Sequence, residues 1–312
     1  MKYIDRKGNI TIEENSQDKL LRHLYSDWGG RICLKILVRP FISKAAGVFL
    51  NTRLSARMVP GFVRRNQIDL SEYKRQEFRS YNDFFTREVK TGARPVSPGE
   101  NILISPCDGK ATVSRIGRDS RFYIKDTEYT VEQLLRNKKL ASRYLGGYAV
   151  ILRLTVDDYH RYCYIADGEK SPNVRLQGIF HTVNPAANDV YPVYKENTRE
   201  YTLLKTDKFG TVVMMEVGAM MVGKITNHHT GTAKVTRGQE KGYFEFGGST
   251  VVLLIQNGKV RIDYDLLENS ENGYETIVRM GERIGECKLS KRTGKDHQGS
   301  TEPRKGSAAV SS

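Results

Sequence analysis

The sequence predicts an α+β fold in which a helical N-terminal region precedes a mainly antiparallel β domain. Two observations support this prediction. Helical spacing and a helix-capping pattern occur in the first third of the chain, whereas short β-branched and aromatic runs bounded by Gly or Asp recur afterwards. A linker over residues 92–98 separates the two patterns. We therefore predict an N-terminal region over residues 1–95, a β-rich domain over 96–287 and a disordered polar tail over 288–312.

The N-terminal region begins with a polar stretch, Tyr3 to Glu13, whose Lys7-Gly8-Asn9 centre is typical of a hairpin turn. The segment from Trp28 to Ile68 then holds eight basic residues and no acidic one. Its apolar residues after Pro40 fall at helical spacing, which predicts a basic amphipathic helix. Such a helix either packs on its own domain or lies in a bilayer interface with its cations near lipid headgroups. The apolar residues at this spacing are Phe41, Ala45, Val48 and Phe49.

Two further helices are predicted from capping patterns. The first runs from Ser80 to Val89, because Ser80 and Asp83 are spaced as a capping box. The second runs from Val131 to about Leu145, with Thr130 as its N-cap. The other periodic segments of the β-rich domain are predicted strands. They are Ala111–Ile116, Tyr148–Val156, Tyr201–Lys205, Thr211–Val217, Val222–Ile225 and Thr250–Ile255.

Charge and cysteine content restrict the class of protein. The net charge of +14 over 312 residues favours anionic partners, whether nucleic acid, acidic lipid surfaces or phosphorylated substrates. The four cysteines form no C-x-x-C pair, so we expect a reducing, cytosolic setting with neither a zinc site nor a disulfide framework. No run reaches the roughly 18 apolar residues that a spanning helix needs, so we expect any membrane contact to be peripheral.

Four polar positions in the β-rich domain carry side chains suited to catalysis. Asp108 lies in a tight Asp-Gly turn before a strand, and Ser249 follows Gly247-Gly248 and precedes an apolar strand. His160 comes shortly after a predicted strand, and His181 follows an apolar pair. Taken singly, each position is typical of an ordinary turn or loop. Together they supply a nucleophile, a base and an acid that orients the base.

Seven short motifs occur in a fixed order between about residues 80 and 286. They are Tyr81–Arg87 with Gly92–Pro95, Ser105–Gly109, Asp158–Arg161, Thr182–Pro185, Glu196–Arg199, Val217–Gly223 and Phe246–Thr250. In this order they resemble the motifs of the phosphatidylserine decarboxylases, which include S-P-x-D-G, D-Y-H-R, V-G-A-x-x-V-G and a G-S-T cleavage site. Any one of these motifs is a weak signal, but seven in family order are a strong one.

The resemblance implies self-processing and a covalent cofactor. Asp108 would orient a histidine that removes the proton of Ser249, whose Oγ would attack the carbonyl carbon of Gly248. The chain would separate into a β chain of residues 1–248 and an α chain of residues 249–312, with a pyruvoyl group derived from Ser249. That group would form a Schiff base with phosphatidylserine, and decarboxylation would give phosphatidylethanolamine.

The resemblance also implies where the protein acts and what it binds. We expect a peripheral protein on the cytoplasmic face of the cell membrane, with phosphatidylserine and the anionic membrane surface as partners. The anionic substrate accounts for the net charge, so we expect neither a nucleic-acid partner nor a metal. We expect the two mature chains to associate with each other. A homodimer of the processed protein is a further alternative.

One position departs from the family. Many members carry a second histidine three residues after that of D-Y-H-R, where it serves in self-cleavage, but this chain has Cys163. A neutral thiol is a poor general base. Either His160 is therefore the base, or His181 is the base and His160 protonates the carbanion after CO2 leaves. The departure keeps open a non-processing homologue that binds anionic membranes peripherally, and a serine hydrolase with an intact hydroxyl is a further alternative.

The final strands of the β-rich domain predict its architecture. The stretch from Thr276 to Gly285 resembles strands of lipoyl-carrier-like barrel-sandwich folds. It has no lysine in a carrier-type turn, so we interpret it as architecture alone. We therefore expect the β-rich domain to be barrel-sandwich-like.

Overall fold

A computed structural model describes residues 2–12, 47–124, 127–178, 197–218, 224–245 and 249–288 of the chain. The strands in these ranges are β1 Lys2–Ile4, β2 Ile10–Ile12, β3 Ile102–Ile104, β4 Gly109–Arg115, β5 Arg121–Ile124, β6 Thr127–Thr130, β7 Tyr148–Leu154, β8 Arg161–Cys163, β9 Gly168–Lys170, β10 Val174–Leu176, β11 Arg199–Thr206, β12 Gly210–Gly218, β13 Ile225–Asn227, β14 Ala233–Val235, β15 Glu240–Phe244, β16 Ser249–Ile255, β17 Val260–Ile262, β18 Glu275–Val278 and β19 Arg283–Cys287. The α-helices are α1 Val59–Arg65, α2 Tyr81–Phe85, α3 Val131–Leu135, α4 Lys138–Ala141 and α5 Tyr264–Glu271, and 3-10 helices span Arg53–Met58, Leu70–Glu72 and Ser142–Tyr144.

Eleven of these strands form one large sheet. Its order is β14-β9-β11-β12-β16-β7-β4-β18-β1-β2, with β10 also paired to β11. Every pairing is antiparallel except the parallel pairing of β1 with β18. The central strands are β-branched and apolar, and every residue of β16 is buried, as expected for strands covered on both faces. The prediction of a mainly antiparallel β domain within an α+β fold is confirmed.

Two hydrophobic cores cover the two faces of this sheet. On one face, Val251 and Leu253 of β16 pack with residues of the small sheets β13-β15-β8 and β17-β19-β3. On the other face, Val252 and Leu254 pack with the β5–β6 hairpin and with α3 and α4. Successive residues of β16 thus enter opposite cores, which is the two-residue period of a strand. We call the face of Val251 the first face and that of Val252 the second face.

The sheet does not close into a barrel within the described residues, because β14 and β2 lie at its two edges. The hairpin predicted around Lys7-Gly8-Asn9 is confirmed, and it continues the sheet beyond β18 instead of returning toward β14. Strands β18 and β19, which cover the stretch compared with barrel-sandwich folds, lie in different sheets. The described part of the β-rich domain is therefore a large open sheet flanked by smaller ones, with no closed barrel.

The helix predicted from Val131 to Leu145 is divided into three short pieces. Thr130 caps α3 as predicted, with its side chain accepting a hydrogen bond from a backbone N–H of the first turn. Arg136 then adopts the left-handed conformation, with φ of 48°, which ends α3. The side chain of Asn137 caps α4, and a 3-10 turn completes the segment. Two local capping signals therefore override the continuous helical pattern.

The described residues between 47 and 95 contain short helices around an aromatic cluster. Ser80 caps α2 as predicted, because its Oγ accepts a hydrogen bond from the Asp83 N–H at 3.1 Å. The helix ends at Phe85 and not at Val89, since the backbone of residues 88–90 instead pairs with residues 72–74. Phe84 and Phe85 have no exposed surface and form the centre of the cluster.

Only the last turn of the predicted amphipathic helix falls within the described residues, where residues 47–50 are helical. The rest of that helix, and the tail from residue 289 onward, lie outside the described ranges. No helix in the described ranges has both the length and the apolar character needed to cross a bilayer.

Candidate active site

The strands β12, β16, β7 and β4 are neighbours in the large sheet, and each has one end on the same side of it. Ser249 is one of these end residues. Ser249 begins β16 and pairs with Gly218 at the end of β12 and with Leu154 at the end of β7. Gly109, at the start of β4, meets β7 from the other side, since a Cβ placed on it would lie 2.8 Å from the carbonyl oxygen of Arg153. Ser249 and Gly109 are thus about 10 Å apart, which is two strand spacings.

The hydroxyl of Ser249 is fully buried and forms no hydrogen bond in the described part of the chain. Its side chain lies on the first face, because it is two residues from Val251. The hydroxyl of the next residue, Thr250, is also buried and without a partner, but it lies on the second face. Leaving a buried hydroxyl unpaired costs about 1–3 kcal/mol, so such groups are rare outside functional sites.

The carboxylate of Asp108 is held by two donors at the start of β4. The Arg94 guanidinium donates to Oδ1 at 2.9 Å and to Oδ2 at 2.7 Å, and the Met280 N–H donates to Oδ1 at 2.8 Å. Arg94 also donates to Glu72 at 2.8 Å, and its side chain is only 4% exposed. Burial disfavours the charge of Arg94, but hydrogen bonds to both carboxylates raise its pKa above the ordinary value. Asp108 therefore faces a fixed cation.

The imidazole of His160 is fully buried just before β8. Its Nδ1 lies 3.0 Å from the carbonyl oxygen of Asp158, and since a carbonyl only accepts, Nδ1 carries the hydrogen. Its Nε2 is then an acceptor, and it has no hydrogen-bond partner among the described residues. The Phe85 ring covers it at a centroid distance of 3.8 Å. Burial lowers the pKa of His160 to about 3, so the ring is neutral at physiological pH.

The loop that positions His160 is fixed by a buried ion pair. Lys110 Nζ lies 2.8 Å from both carboxylate oxygens of Asp158, and the Thr155 N–H donates to that carboxylate at 2.6 Å. Arg87 donates to the backbone carbonyl oxygen of Asp158 at 3.1 Å. Burial raises the pKa of Asp158, but the charge of Lys110 and the hydrogen bonds from Lys110 and Thr155 outweigh this effect and lower the pKa. The carbonyl group that orients His160 is therefore held in place.

Chain connections place His160 and Ser249 near the same strand ends of the large sheet. The Phe244 N–H donates to the His160 carbonyl oxygen at 2.9 Å, and Phe244 is five residues before Ser249. Leu154, the pairing partner of Ser249, is six residues before His160. Asp108 immediately precedes β4, on the far side of β7 from Ser249, and its carboxylate makes no described hydrogen bond to His160.

Cys163 lies beside the turn that contains Asp108. Its N–H donates to the carbonyl oxygen of Pro106 at 2.8 Å, and its Sγ is 4.0 Å from the carbonyl oxygen of Ser105. Burial raises the pKa of Cys163 to about 12, so the thiol stays protonated at physiological pH. This side chain is therefore unsuited to remove a proton from Ser249.

A buried polar cluster lies beside Ser249 on the first face. Lys241 Nζ donates to Glu216 Oε2 at 2.7 Å, and Asn227 Nδ2 lies 3.4 Å from the same oxygen. Asn227 also donates to Glu200 at 2.6 Å. Glu216 Oε1 is buried and has no hydrogen-bond partner in the described ranges. Burial raises the pKa of Glu216 above its ordinary value, against the lowering effect of Lys241.

Two of the predicted site residues lie outside the described ranges. These are His181, with the T-V-N-P loop that follows it, and Gly248, on the amino side of the predicted cleavage site. The structure therefore describes Asp108, His160 and Ser249 of the predicted set.

Sequence reasoning missed three residues that shape this site. Arg94 stands in the quoted G-A-R-P motif, but its pairing with Asp108 depends on tertiary structure. Lys110 follows the S-P-C-D-G turn and was not assigned a role. Glu216 had a readable signal, because it is a single acid within an apolar strand, and a buried acid needs a partner or a function.

Comparisons with known proteins agree with the motif order. The family model described as phosphatidylserine decarboxylase matches residues 81–286. Phosphatidylserine decarboxylase proenzyme 2 of Clostridium acetobutylicum is 44% identical over 278 residues, covering 89% of this chain and 95% of the relative. The proenzyme of Fusobacterium nucleatum is 40% identical over 91% of this chain and 97% of its own, and that of Clostridium novyi is 38% identical over 91% and 99%. The chain belongs to the phosphatidylserine decarboxylase family.

Proposed function

We propose that this protein decarboxylates phosphatidylserine to phosphatidylethanolamine, using a pyruvoyl group that it makes from Ser249 by cleaving the Gly248–Ser249 bond. The observation that carries the proposal is the state of Ser249. Its hydroxyl is buried and has no hydrogen-bond partner among the described residues, at the end of β16 near which Asp108 and His160 also lie. Family membership supports both steps, because the relatives are named phosphatidylserine decarboxylase proenzymes.

Self-cleavage needs a nucleophile, a base and a flexible acyl donor. The hydroxyl proton of Ser249 passes to a base, Oγ bonds to the carbonyl carbon of Gly248, and the peptide C–N bond breaks as nitrogen gains a proton. Elimination then removes the Cα proton of residue 249, forms a Cα–Cβ double bond and releases the Gly248 carboxylate. Water displaces the nitrogen as ammonia and leaves a keto group. A glycine on the acyl side, without a Cβ, leaves room for the attack.

His160 is the base that we assign to the first step. Its Nδ1–H donates to the Asp158 carbonyl oxygen, so Nε2 is a buried acceptor with no partner among the described residues. Burial lowers the pKa of His160 to about 3, so the ring is neutral at physiological pH and Nε2 carries no proton. His181 is the competing base. In that arrangement His160 donates a proton to substrate carbon after CO2 has left.

The surroundings of residue 249 fit a pyruvoyl group. The residue is enclosed at a strand terminus, where water has little access, and the nearby buried polar atoms are unsatisfied. A pyruvoyl group supplies an electron-accepting carbonyl for decarboxylation of an amino-acid headgroup. The protein's own residues bind the headgroup, exclude water and hold protons. Arg94 holds the Asp108 carboxylate in place through hydrogen bonds to both of its oxygens.

Denaturing electrophoresis and intact mass spectrometry test the processing step. We expect the purified wild-type protein to give fragments of 248 and 64 residues, the smaller one blocked to N-terminal sequencing. Ser249→Ala should remain full length. The matched control is Thr250→Val, which removes the adjacent buried hydroxyl, likewise without a partner in the described ranges but on the opposite face of the sheet, and this variant should still be cleaved.

Three results would overturn the processing proposal. One is a full-length wild-type chain with an ordinary serine at position 249, which would favour the non-processing, membrane-binding alternative. Another is cleavage of the Ser249→Ala chain at the same bond. The third is labelling of the active protein by a fluorophosphonate, which reacts with serine hydrolases. Comparing His160→Ala with His181→Ala assigns the base, since the variant lacking the base stays uncleaved.

Decarboxylation is tested separately with phosphatidylserine vesicles. We expect the cleaved protein to produce phosphatidylethanolamine and CO2, and hydroxylamine or borohydride to inactivate it by attacking the keto group. Conversion of the lipid by protein that resists both reagents would contradict the cofactor assignment.

The N-terminal region is proposed to dock the enzyme on the anionic membrane surface at the cytoplasmic face. Between residues 47 and 68 the chain has no acidic residue, and it exposes large apolar side chains beside arginines. Val48 is 71% exposed and Leu54 is 57% exposed. Arg53 and Arg57 are exposed next to them. Apolar side chains that enter the acyl boundary next to cations are typical of peripheral membrane attachment.

Vesicle co-sedimentation tests the docking surface. Reversing two charges with Arg53→Glu and Arg57→Glu should weaken binding to phosphatidylserine vesicles by about 30-fold or more, since each basic residue near the surface contributes about 1 kcal/mol. Lys138→Glu with Lys139→Glu on α4 makes the same change of net charge elsewhere and should bind nearly normally. Equal losses in both double variants would show that overall charge, and not this surface, determines binding.

A further inference from the structure

Conversion of Ser249 into a keto terminus requires two different proton removals. The first takes the hydroxyl proton, for which a histidine is assigned. The second takes the Cα proton during elimination, when Oγ leaves with the Gly248 carboxylate. The base for this second step must be buried near residue 249, ionised and free to accept a proton.

Glu216 satisfies the positional requirement through the register of β12 and β16. Gly218 pairs with Ser249 and Glu216 pairs with Val251, so Glu216 is the diagonal neighbour of Ser249 on the same face. Such neighbours are about 7–8 Å apart, within reach of a long side chain. The residue directly opposite Ser249 on β12 is Gly218, which has no side chain on this face.

The two carboxylate oxygens of Glu216 differ in their hydrogen bonding among the described residues. Oε2 accepts from Lys241 Nζ at 2.7 Å, and this cation opposes the rise in pKa that complete burial causes. Oε1 has no hydrogen-bond partner in the described part of the chain. An unpaired oxygen on a buried carboxylate is costly, so a purely structural acid is expected to pair both.

From this geometry we infer that Glu216 is a further catalytic residue, whose Oε1 accepts the Cα proton of residue 249 in the elimination step. The inference rests on the proposed self-cleavage. After the acyl shift, residue 249 is no longer joined to Gly248 through its nitrogen, so its Cα–H can turn toward the first face. The Cα–H electron pair forms the second Cα–Cβ bond, the Cβ–Oγ bond breaks with its electrons leaving on the Gly248 carboxylate, and the proton stays on Glu216. Nothing is oxidised or reduced.

Trapping the ester formed before elimination tests this role. Glu216→Gln should complete the acyl shift but stall there, with elimination slowed about 10²–10⁴-fold. The stalled protein keeps its full-length mass, and neutral hydroxylamine should split it into residues 1–248, as a hydroxamate, and residues 249–312 with an ordinary N-terminal serine. Wild-type protein should yield a blocked small fragment.

A second variant separates catalysis from folding. Removing only Glu216 leaves Lys241 buried without its partner, so the single variant risks misfolding. The double variant Glu216→Gln with Lys241→Met removes both charges and should fold, as judged by circular dichroism and thermal melting. The double variant should still accumulate the hydroxylamine-sensitive ester. Glu200→Gln is the matched control, because Glu200 lies opposite Glu216 on β11 and its described contacts are with Asn173 and Asn227; it should process normally.

The pH profile gives an independent readout. Lys241→Met alone removes the charge that lowers the pKa of Glu216, so elimination should require a higher pH than in wild type. The charged and titratable groups around Glu216 are Lys241 on β15, Glu200 on β11, Lys170 on β9, Tyr162 on β8, Tyr164 after β8 and Cys107 before β4.

Two outcomes would overturn the inference. One is a folded double variant that forms the blocked fragment at the wild-type rate. The other is a folded, full-length double variant that hydroxylamine does not split, which would place Glu216 outside the elimination step. An uncleaved wild-type chain would instead contradict the proposed function itself, so the two failures are distinguishable.

Discussion

The buried, neutral His160 leads to a quantitative prediction about stability. The pKa of this ring is about 3 in the folded protein, compared with 6.5 in an unfolded chain. Below pH 6.5 the unfolded chain binds a proton that the folded chain does not, so stability present above this pH is lost as the pH falls toward 3. Between pH 7 and pH 5 the loss amounts to about 2 kcal/mol.

This magnitude depends little on the folded value. Because pH 5 lies well above 3, His160 stays neutral in the folded state, and the unfolded pKa determines the difference. The window also lies above the range in which ordinary carboxylates titrate. The assay is urea unfolding at both pH values, performed on the Ser249→Ala precursor so that one intact chain unfolds. Adding His160→Gln removes the group and should reduce the pH-dependent loss by about 2 kcal/mol.

The other histidines are common to both precursors, so the difference between them isolates His160. Equal losses of unfolding free energy from pH 7 to pH 5 in the two precursors would refute a buried neutral ring at this position. The assignment of Nε2 as a proton acceptor would then lose its physical basis, because that assignment requires a neutral imidazole.

Three further predictions concern the residues around the site. Arg94→Met leaves Asp108 buried without its cation and should lower the free energy of unfolding by about 3–5 kcal/mol, whereas Arg115→Met at an exposed position should change it by at most about 0.5 kcal/mol in the same urea titration. Gly109→Ala places a Cβ 2.8 Å from a backbone carbonyl oxygen and should slow fragment formation on denaturing gels and lower the melting temperature. Lys110→Met should slow fragment formation at least as much, because it releases the loop that orients the base; normal processing would contradict that role.

The sequence predicted the central strands well because their apolar, β-branched residues are compatible with few structures other than a buried strand. A run such as Thr-Val-Val-Leu-Leu-Ile in β16 is apolar on both faces, and only a strand covered by two cores can bury it. The helix over residues 131–145 was predicted less well. Its apolar spacing is continuous, but Arg136 and Asn137 end one helix and start another by local hydrogen bonding.

The architecture and the buried charges could not be read from the sequence. Strand order depends on pairings between distant residues, such as β1 with β18, and no local pattern encodes them. The same is true of Arg94 with Asp108 and of Lys110 with Asp158. Sequence motifs led to Asp108, His160 and Ser249 as candidates. They did not indicate that Ser249, His160 and Glu216 each have a buried polar atom without a hydrogen-bond partner in the described ranges.

The central position of β16 in the sheet has a consequence for how the two chains of the processed protein dissociate. Each of its seven residues pairs with β7, and most pair with β12 as well. A protein cut before Ser249 would therefore unfold by dissociation, and its thermal midpoint would rise with protein concentration. For reassembly, a free strand must enter between two strands that can by then pair with each other. Heat inactivation of the processed protein is thus expected to be irreversible, whereas the uncleaved precursor can refold.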